Sequence, residues 1–538
     1  MTGLQAKRKQ KVRMTGMELK LNTRQTICVG FAFFLISAFW QAYDNTIPMI
    51  LTNKFGMNQT WSGFITAFDN ILALFLLPLF GKLSDRTRTR LGRRTPYILF
   101  GTLAAVTAFF FLSVADMMQL RLLGNAARIN DPFGLQLIYR AEKKTELISP
   151  EGETFVLQDT FSEDEFKTIR TRIYPENNVA MANPLFTQVV VPAGQAYARR
   201  VTHENGQILI LFICLLLATL VAMATFRSPA VALMPDVTLK PLRSRANAII
   251  TLMGSAGGIL VLLLGVLFRT SAAENLTMGY MPFFSAVSGI MLLALVLFLF
   301  TVREPQLVQK MQKDSETYGI SNETQSPTDT AHKKLNAAEK KSLFFILASI
   351  VLWFMGYNAV ASKYSVYATT LLRKNYNLTL LIAQAAAIVS YIPVGIVASR
   401  VGRKKTILAG ILMLTAAFGA ASLMREDSPA LLMNALFALA GMGWATINVN
   451  SFPMVVEMCS EADVGWFTGI YYAASMSAQI ITPVLSGMIM DRFGLTALFP
   501  YSVVFVALAF VTMLFVRHGD SKPAAHIDLS ALQTPDGD

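Results

Sequence analysis

The chain has 538 residues, of which 53% are hydrophobic and only 15% charged, and its mean hydropathy is +0.46. A soluble domain carries about 25% charged residues, so soluble, disordered and fibrous classes are excluded. The formal net charge of +13 is read by its placement along the chain, as a topology signal rather than a nucleic-acid one.

Residues 1–25 are basic and polar. They are too long and too charged for a cleaved leader and read as a cytoplasmic tail. Apolar runs able to cross a ~30 Å hydrocarbon layer follow at 26–52, 61–83, 96–120, 207–235, 246–269 and 279–302. Six more follow at 342–370, 379–399, 406–424, 429–457, 465–489 and 496–516. Between the third and fourth runs, residues 121–205 form an insertion with alternating stretches at Leu135–Arg140 and Thr154–Gln158 and a turn at Pro150–Gly152. A small, partly β extracytoplasmic subdomain is expected there, an ordered lid with no ligand of its own. The polar segment 303–341 splits the spans six and six; its composition supports no core, so it reads as a flexible cytoplasmic linker. Residues 517–538 form a second cytoplasmic tail.

Lysine and arginine orient the chain. The short loops and tails on the N-terminal side hold 29 of the 47, whereas the opposite short loops hold Lys54, Arg269, Arg373, Lys374, Arg425 and Arg492. With an even number of spans, both termini are placed in the cytoplasm. The expected fold is an all-α membrane protein of twelve transmembrane helices in two pseudo-symmetric six-helix bundles, 26–302 and 342–516. The expected location is the plasma membrane, the bacterial inner membrane in particular. Cys28, Cys214 and Cys459 are isolated and make neither a disulfide framework nor a metal site. The sequence shows no phosphate loop, metal-ligand cluster or nucleophile elbow, so the chain is not read as an enzyme.

An element recurs in both halves. Gly81-Lys-Leu-Ser-Asp85-Arg86, followed by Gly92-Arg93-Arg94, lies between spans 2 and 3; Gly395-Ile-Val-Ala-Ser-Arg400-Val-Gly-Arg403-Lys-Lys lies between spans 8 and 9. Met234-Pro-Asp236 ends span 4 and Val455-Val-Glu457 ends span 10. Small residues let helices approach closely, and the arginine-rich turns set cations beside Asp85, Asp236 and Glu457. Such pairs can hold the cytoplasmic side shut and break when it opens. The competing reading is that the basic turns serve topology alone.

A six-plus-six profile with this repeat resembles the major facilitator superfamily. The turn Ser84-Asp85-Arg86-Thr-Arg-Thr-Arg90-Leu-Gly92-Arg93-Arg94-Thr-Pro96-Tyr97 is similar to that of the sucrose–proton symporters and of the glycoside–pentoside–hexuronide cation symporters. Arg227-Ser-Pro229 with Ala232-Leu-Met-Pro235-Asp236 is similar to the end of their fourth span. The insertion 121–205 lies outside the likeness. The resemblance implies a major facilitator fold and a sugar, a di- or oligosaccharide or glycoside such as sucrose or maltose, as substrate.

Two carboxylates are read within hydrocarbon: Asp44, 13 residues before the turn centred near Met57, and Asp69, 12 after it. At ~1.5 Å per residue they sit at similar depth on antiparallel neighbours. An intramembrane carboxylate usually faces a cavity and marks an ion or substrate path. Burial and a like-charged neighbour both disfavour the charged form, so one of the pair can carry a proton; the alternative is a structural carboxyl at a helix break beside Asn45, Pro48 and Asn70. All four histidines, His203, His332, His518 and His526, fall outside the spans. The cation symporters also use acids on their first two spans, but Asp69 is followed by Asn70-Ile-Leu-Ala73 and a second span-2 acid is missing. Sodium prefers several oxygen ligands, so the proton is the expected coupling ion, with no other cofactor.

A sugar site needs paired donors and acceptors and an aromatic platform. Candidates at helical spacing are Trp40, Gln41, Tyr43, Asn45 and Asn70 in the first half, and Tyr357, Asn358, Tyr364, Gln384, Tyr391, Asn434, Trp444, Asn448, Ser451, Tyr472, Ser475 and Gln479 in the second. In such folds, cavity-lining helices of both halves meet at the midplane. Each residue alone is as well read as an interhelical hydrogen bond. Lys363 and Arg227, the mid-span cations, read as structural: Lys363 snorkelling or pairing with Asp44, Arg227 satisfying carbonyls freed by Pro229. Gly254-Ser-Ala-Gly257-Gly258 marks close packing and lacks the Gly-Pro pair of the drug–proton antiporters. Symport is therefore preferred to an antiporter exporting a drug or metabolite, and both to a non-transporting sensor or scaffold. The expected partners are a sugar and the bilayer, with no nucleic acid, for a chain working as a monomer.

Overall fold

The computed structural model describes residues 21–129, 131–169, 185–239, 242–272, 275–317, 335–456, 458 and 464–518. Helix α1 (Thr23–Asn53) begins where the Asn22 side chain accepts the Gln25 N–H at 3.1 Å, an N-cap. Helices α2 (Gln59–Arg86) and α3 (Thr95–Leu123) follow, α3 opened by a proline in its first turn.

The insertion holds α4 (Pro132–Ala141), β1 (Glu146–Ile148), β2 (Thr154–Val156), α5 (Leu157–Thr160), α6 (Glu163–Thr168) and α7 (Val191–Glu204). The two strands pair as a hairpin around the expected Pro150–Gly152 turn. Leu135–Arg140 is corrected from strand to helix. Asp131 caps it and Pro132 opens it, while Leu135 and Ile138, three residues apart, share the buried face. Thr154–Gln158 stays extended only to Val156.

The remaining helices of the first half are α8 (Gly206–Val237), α9 (Arg243–Leu267), α10 (Met281–Thr301) and α11 (Glu304–Thr317). The last corrects part of the linker expectation: its first third is helical. Then come α12 (Ala337–Tyr367), started by an Asn336–Glu339 capping box, α13 (Tyr376–Val401), α14 (Arg403–Ala421), α15 (Ala430–Val456), α16 (Val464–Phe493) and α17 (Leu498–Leu514). Among the described residues eleven helices are long and apolar enough to cross a membrane; the other predicted span, 379–399, falls on α13, whose apolar stretch is Tyr376–Tyr391. Large apolar side chains stand exposed on these helices, Phe75 at 68%, Phe300 at 81% and Leu431 at 80%, as lipid-facing positions require.

The chain divides into two compact units, Met1–Met57 with Phe68–Leu147 and Val156–Ser326, and Asn58–Ala67 with Ile148–Phe155 and Pro327–Asp538. Within the first, α1 packs on α9 and α10, and α3 on α8 and α10; within the second, α12 packs on α16 and α17, and α14 on α15 and α17. The same pairing order in each unit is the pseudo-symmetry. Small residues set the spacing: a Cβ at Gly257 would lie 2.5 Å from the Phe34 carbonyl oxygen, and one at Gly441 2.1 Å from that of Ala383.

Two charges counted or passed over in the sequence are buried together. Lys54, assigned above to an outer loop, is 0% exposed and ion-paired with Asp116 of α3, also 0% exposed. The second Asp116 oxygen accepts the Tyr280 N–H at 3.1 Å at the start of α10, and the Lys54 ammonium lies 4.8 Å from the Tyr280 ring centroid. Asp116 lies near one end of its predicted span, where it was not recognised as an intramembrane carboxylate.

Candidate functional site

In the first unit, Asp44 and Asp69 are presented by α1 and α2. Asp44 is open and Asp69 half-buried. Asp69 accepts a 2.7 Å hydrogen bond from the Asn70 side chain. Among the described residues neither carboxylate forms an ion pair. Arg227 of α8 is near enough for its charge to act on both. Its guanidinium lies 5.3 Å from the centroid of the Trp40 ring, a cation–π placement. This corrects the reading of Arg227 as a partner for backbone carbonyls.

Trp40 lies one helical turn before Asp44. Its ring meets that of Tyr43 edge-on at 5.4 Å, and its buried indole N–H has no hydrogen-bond partner among the described residues. An aromatic face, an unpartnered donor, two unpaired carboxylates and a guanidinium therefore occupy neighbouring positions on α1, α2 and α8. Such a group of charges can exchange a proton or bind a polyhydroxyl ligand without first breaking a fixed ion pair. Gln41 is half-buried, while Tyr43 and Asn45 are turned into the packed interior of α1.

In the second unit, Tyr357 of α12 stacks on Trp444 of α15, with ring centroids 3.8 Å apart and an interplanar angle of 5°. Phe354 meets Trp444 edge-on at 5.1 Å. Among the described residues the Asn358 side-chain amide nitrogen of α12 and the Gln384 side-chain oxygen of α13 are buried without hydrogen-bond partners, one donor and one acceptor in the same unit as this aromatic platform. Tyr391 is hydrogen-bonded to the exposed Asn448. Other candidates turn away. Tyr364 is 0% exposed and packs on Phe437 and Phe499. Gln479 donates to the Ser475 carbonyl on its own helix at 3.3 Å, Asn434 accepts from Thr379 at 3.0 Å, and Ser451 bonds Tyr471. Lys363, fully buried, donates to the Gln59 carbonyl at 2.8 Å, so the pairing with Asp44 is replaced by a backbone bond.

The repeated turn of the first unit carries a cluster of ion pairs. Arg94, 6% exposed, donates to Asp236 at 2.8 Å and to Asp85. Arg93 pairs with Asp236 at 2.6 Å. The Arg94 guanidinium also donates to Ser84 and, at 3.5 Å, to the Gly81 carbonyl. Burial alone would lower the Arg94 pKa; the carboxylates of Asp236 and Asp85 outweigh it and raise it above the usual guanidinium value. Arg86 is exposed and stands outside this network.

The sequence reading missed the centre of this turn. Glu304, 1% exposed at the start of α11, accepts the backbone N–H groups of Arg93, Arg94 and Thr95 at 2.7–3.0 Å and the Thr95 hydroxyl at 2.7 Å. A carboxylate on the unpaired N–H groups of a helix start is doubly favoured, by hydrogen bonding and by the helix dipole. Gly92, with φ +110°, lets the carboxylate approach: a Cβ there would lie 2.3 Å from it. The only signal was an acid, Glu304, directly after span 6.

The second-unit turn is built differently. Gly395 is exposed, and among the described residues nothing lies within 4 Å of a Cβ placed on it. Gly402, φ +98°, makes a one-residue turn between α13 and α14. Lys404 donates to the Leu514 and Val516 carbonyls at 2.9 and 2.6 Å, closing the end of α17. Arg403 opens α14 and is half-buried; Arg400 ends its turn on α13. Glu457 lies outside the described residues.

The sequence profile described as Major Facilitator Superfamily matches residues 197–390 and 373–532, and that described as MFS/sugar transport protein matches residues 28–123. The chain is 26% identical over 136 residues to the MFS-type transporter ppzB of Metarhizium rileyi, covering 25% of this chain and 28% of that protein. Its counterpart in Metarhizium majus is 26% identical over 123 residues, covering 23% and 26%. The chain thus matches about a quarter of the length of these curated relatives. Among solved structures, the inward-open xylose transporter XylE from E. coli has a TM-score of 0.55 at 16% identity, covering 95% of this chain and 99% of that one. A bacterial homologue of the iron transporter ferroportin in an inward-facing state has 0.56 at 14%, covering 92% and 99%. A D-xylose–proton symporter has 0.51 at 16%, covering 92% and 98%. The fold is shared with all three. With the matched profile spanning more than half of its length, this chain of apolar helices in two units is a multi-pass membrane protein that belongs to the Major Facilitator Superfamily.

Proposed function

We propose that the chain is a secondary active transporter that takes up a sugar, a di- or oligosaccharide or glycoside, together with protons by alternating access. The observation that carries this is the state of Asp44 and Asp69: both sit on membrane helices, within the influence of Arg227, and neither is locked in an ion pair. A carboxylate placed there only for structure would be satisfied by a fixed partner, as Asp116 is by Lys54. In the proposed cycle one of the two accepts a proton on one side of the membrane and returns it on the other. Arg227 holds the remaining negative charge and can release the acid when substrate binds.

The sugar assignment draws on the MFS/sugar transport profile over 28–123 and on the chemistry of the two candidate surfaces. The stacked Tyr357 and Trp444 supply a flat apolar face for a sugar ring. Asn358, Gln384 and Trp40 supply donors and acceptors with no intramolecular partner. The coupling ion in this reading is the proton rather than sodium, because sodium prefers several oxygen ligands and Asp69 is followed by Asn70-Ile-Leu-Ala73, without a second acid on α2. The chain lies in a plasma membrane, the inner membrane if bacterial, with both termini cytoplasmic, and works as a monomer. The turn of Asp85, Arg93, Arg94 and Asp236 closes the cytoplasmic side and must loosen as that side opens. Export of a drug or metabolite by antiport is the second reading; the partial likeness to an MFS-type transporter is equally compatible with either direction.

Energised cells or proteoliposomes carrying the chain are expected to accumulate a labelled disaccharide under an inward proton gradient and to alkalinise the medium on sugar addition. Asp44→Asn and Asp69→Asn should each abolish uphill accumulation, and at least one should retain sugar exchange. Accumulation at the parent level in both variants would reject the assignment; acidification on substrate addition would favour antiport.

A further inference from the structure

Residues 124–196 lie between the stretches matched by the two family profiles, so the family leaves the purpose of the insertion open. Its hairpin ends in a turn that is not a free surface loop. Ser149 and Pro150 are buried. The turn is closed by hydrogen bonds from the Ser149 N–H to the Glu153 carbonyl at 2.7 Å and from the Gly152 N–H to the Ser149 carbonyl at 2.9 Å. Ile148–Phe155 groups with the second unit, and there the Pro150 carbonyl accepts the Leu495 N–H at 2.7 Å. Leu495 follows the turn out of α16. Both sides meet backbone to backbone: a Cβ at Gly494 (φ +84°) would lie 2.6 Å from the Pro150 oxygen and the Gly152 nitrogen, and one at Gly152 (φ +95°) 3.0 Å from the Phe493 carbonyl. Exposed loop tips seldom dock this tightly.

The same end of α16 holds the start of α2. Asp491 accepts the Gln59 N–H at 2.7 Å, the Thr60 N–H at 2.8 Å and the Thr60 hydroxyl, and a Cβ at Gly487 would lie 2.3 Å from the Gln59 carbonyl oxygen. Within five residues, Asp491 to Leu495, one helix end is tied both to α2 and to the insertion.

We propose that the Pro150–Gly152 turn is a latch on the α16–α17 turn. It holds the end of α16 against the first residues of α2, and it lets go of Gly494–Leu495 whenever that end swings away. The latch rests on the alternating-access reading above, in which this end of the protein opens once per cycle. A backbone hydrogen bond and an apolar glycine contact suit such a role, because they release without stranding a buried charge.

Ser62, one turn into α2, is 0% exposed and its hydroxyl has no hydrogen-bond partner among the described residues, so Ser62→Cys is a mild change that reports opening there. The full chain, with Cys28, Cys214 and Cys459 replaced by serine, is reconstituted in lipid nanodiscs and labelled with N-ethylmaleimide. Gly494→Val drives a side chain into Pro150. It is expected to speed labelling of Ser62→Cys about tenfold by shifting the population toward the open form. Unchanged labelling in this variant, eluting as the parent does, overturns the latch. Should the variant not fold, hydrogen exchange of the unmodified chain decides: the Leu495 amide must open together with those of Gln59 and Thr60, and fast exchange at Leu495 with full protection at Gln59 and Thr60 rejects the proposal. Neither readout uses a sugar or a proton gradient. A chain that shows the effect but accumulates no sugar keeps the latch and loses the transport reading.

Discussion

Asp44, Asp69 and Asp116 are chemically alike and are treated in three ways. Asp116 is sealed with Lys54 and the Tyr280 N–H, all out of solvent. Asp69 is hydrogen-bonded only by its neighbour Asn70 among the described residues, and Asp44 is open. Breaking a buried pair leaves an uncompensated charge at a cost of about 3–5 kcal/mol, whereas removing both charges can be neutral. Lys54→Met should therefore strongly reduce folded protein in detergent, and adding Asp116→Asn, which keeps an acceptor for Tyr280, should recover it. Size-exclusion profiles of the single and double variants check this; equal yields of parent and single variant would contradict it. The carboxylates of α1 and α2 should behave oppositely, since Asp44→Asn and Asp69→Asn remove charges that hold nothing together and should fold like the parent while losing uphill transport. The sequence made Asp44 and Asp69 visible because each interrupts an apolar run. It hid the Lys54–Asp116 pair because both residues lie near span ends, where a charge is ordinarily solvated.

Helix ends carry most of the polar organisation. Asn22, Asn336 and Asn375 cap helices from the residue just before them, and such caps are legible locally. Glu304 and Asp491 cap α3 and α2 from far along the chain, and no local pattern announces them. Glu304→Ala should leave the buried N–H groups of Arg93, Arg94 and Thr95 without an acceptor, costing about 1–3 kcal/mol. Its thermal unfolding in detergent should fall below that of the parent, with Glu304→Gln intermediate because one carbonyl acceptor survives. A Glu304→Ala protein that melts with the parent would show the cap to be dispensable. The apolar runs located the membrane helices to within a few residues, since length and hydropathy alone decide what can cross a bilayer. The six residues Leu135–Arg140 were misread because so short an alternation also fits one helical face; the cap at Asp131 and the proline at its start settled the outcome.

For the molecule as a whole, the lysine and arginine asymmetry makes a directional claim. Alkaline phosphatase, which needs an oxidising compartment to form its disulfides, should stay inactive when fused at the C-terminus of the full chain and become active when fused after Lys374. The reverse pattern would invert the proposed orientation and with it the side on which the Arg93–Arg94 turn lies. Composition, the spacing of apolar runs and the repeated glycine–arginine turns were enough to determine a many-helix membrane protein with two related halves, because those properties are set by the bilayer and by local chain chemistry. Which polar groups are left unpartnered, which charges are neutralised, and how the insertion reaches Gly494 depended on residues tens to hundreds of positions apart. Only the folded chain brings such groups within the ~3 Å over which a hydrogen bond acts.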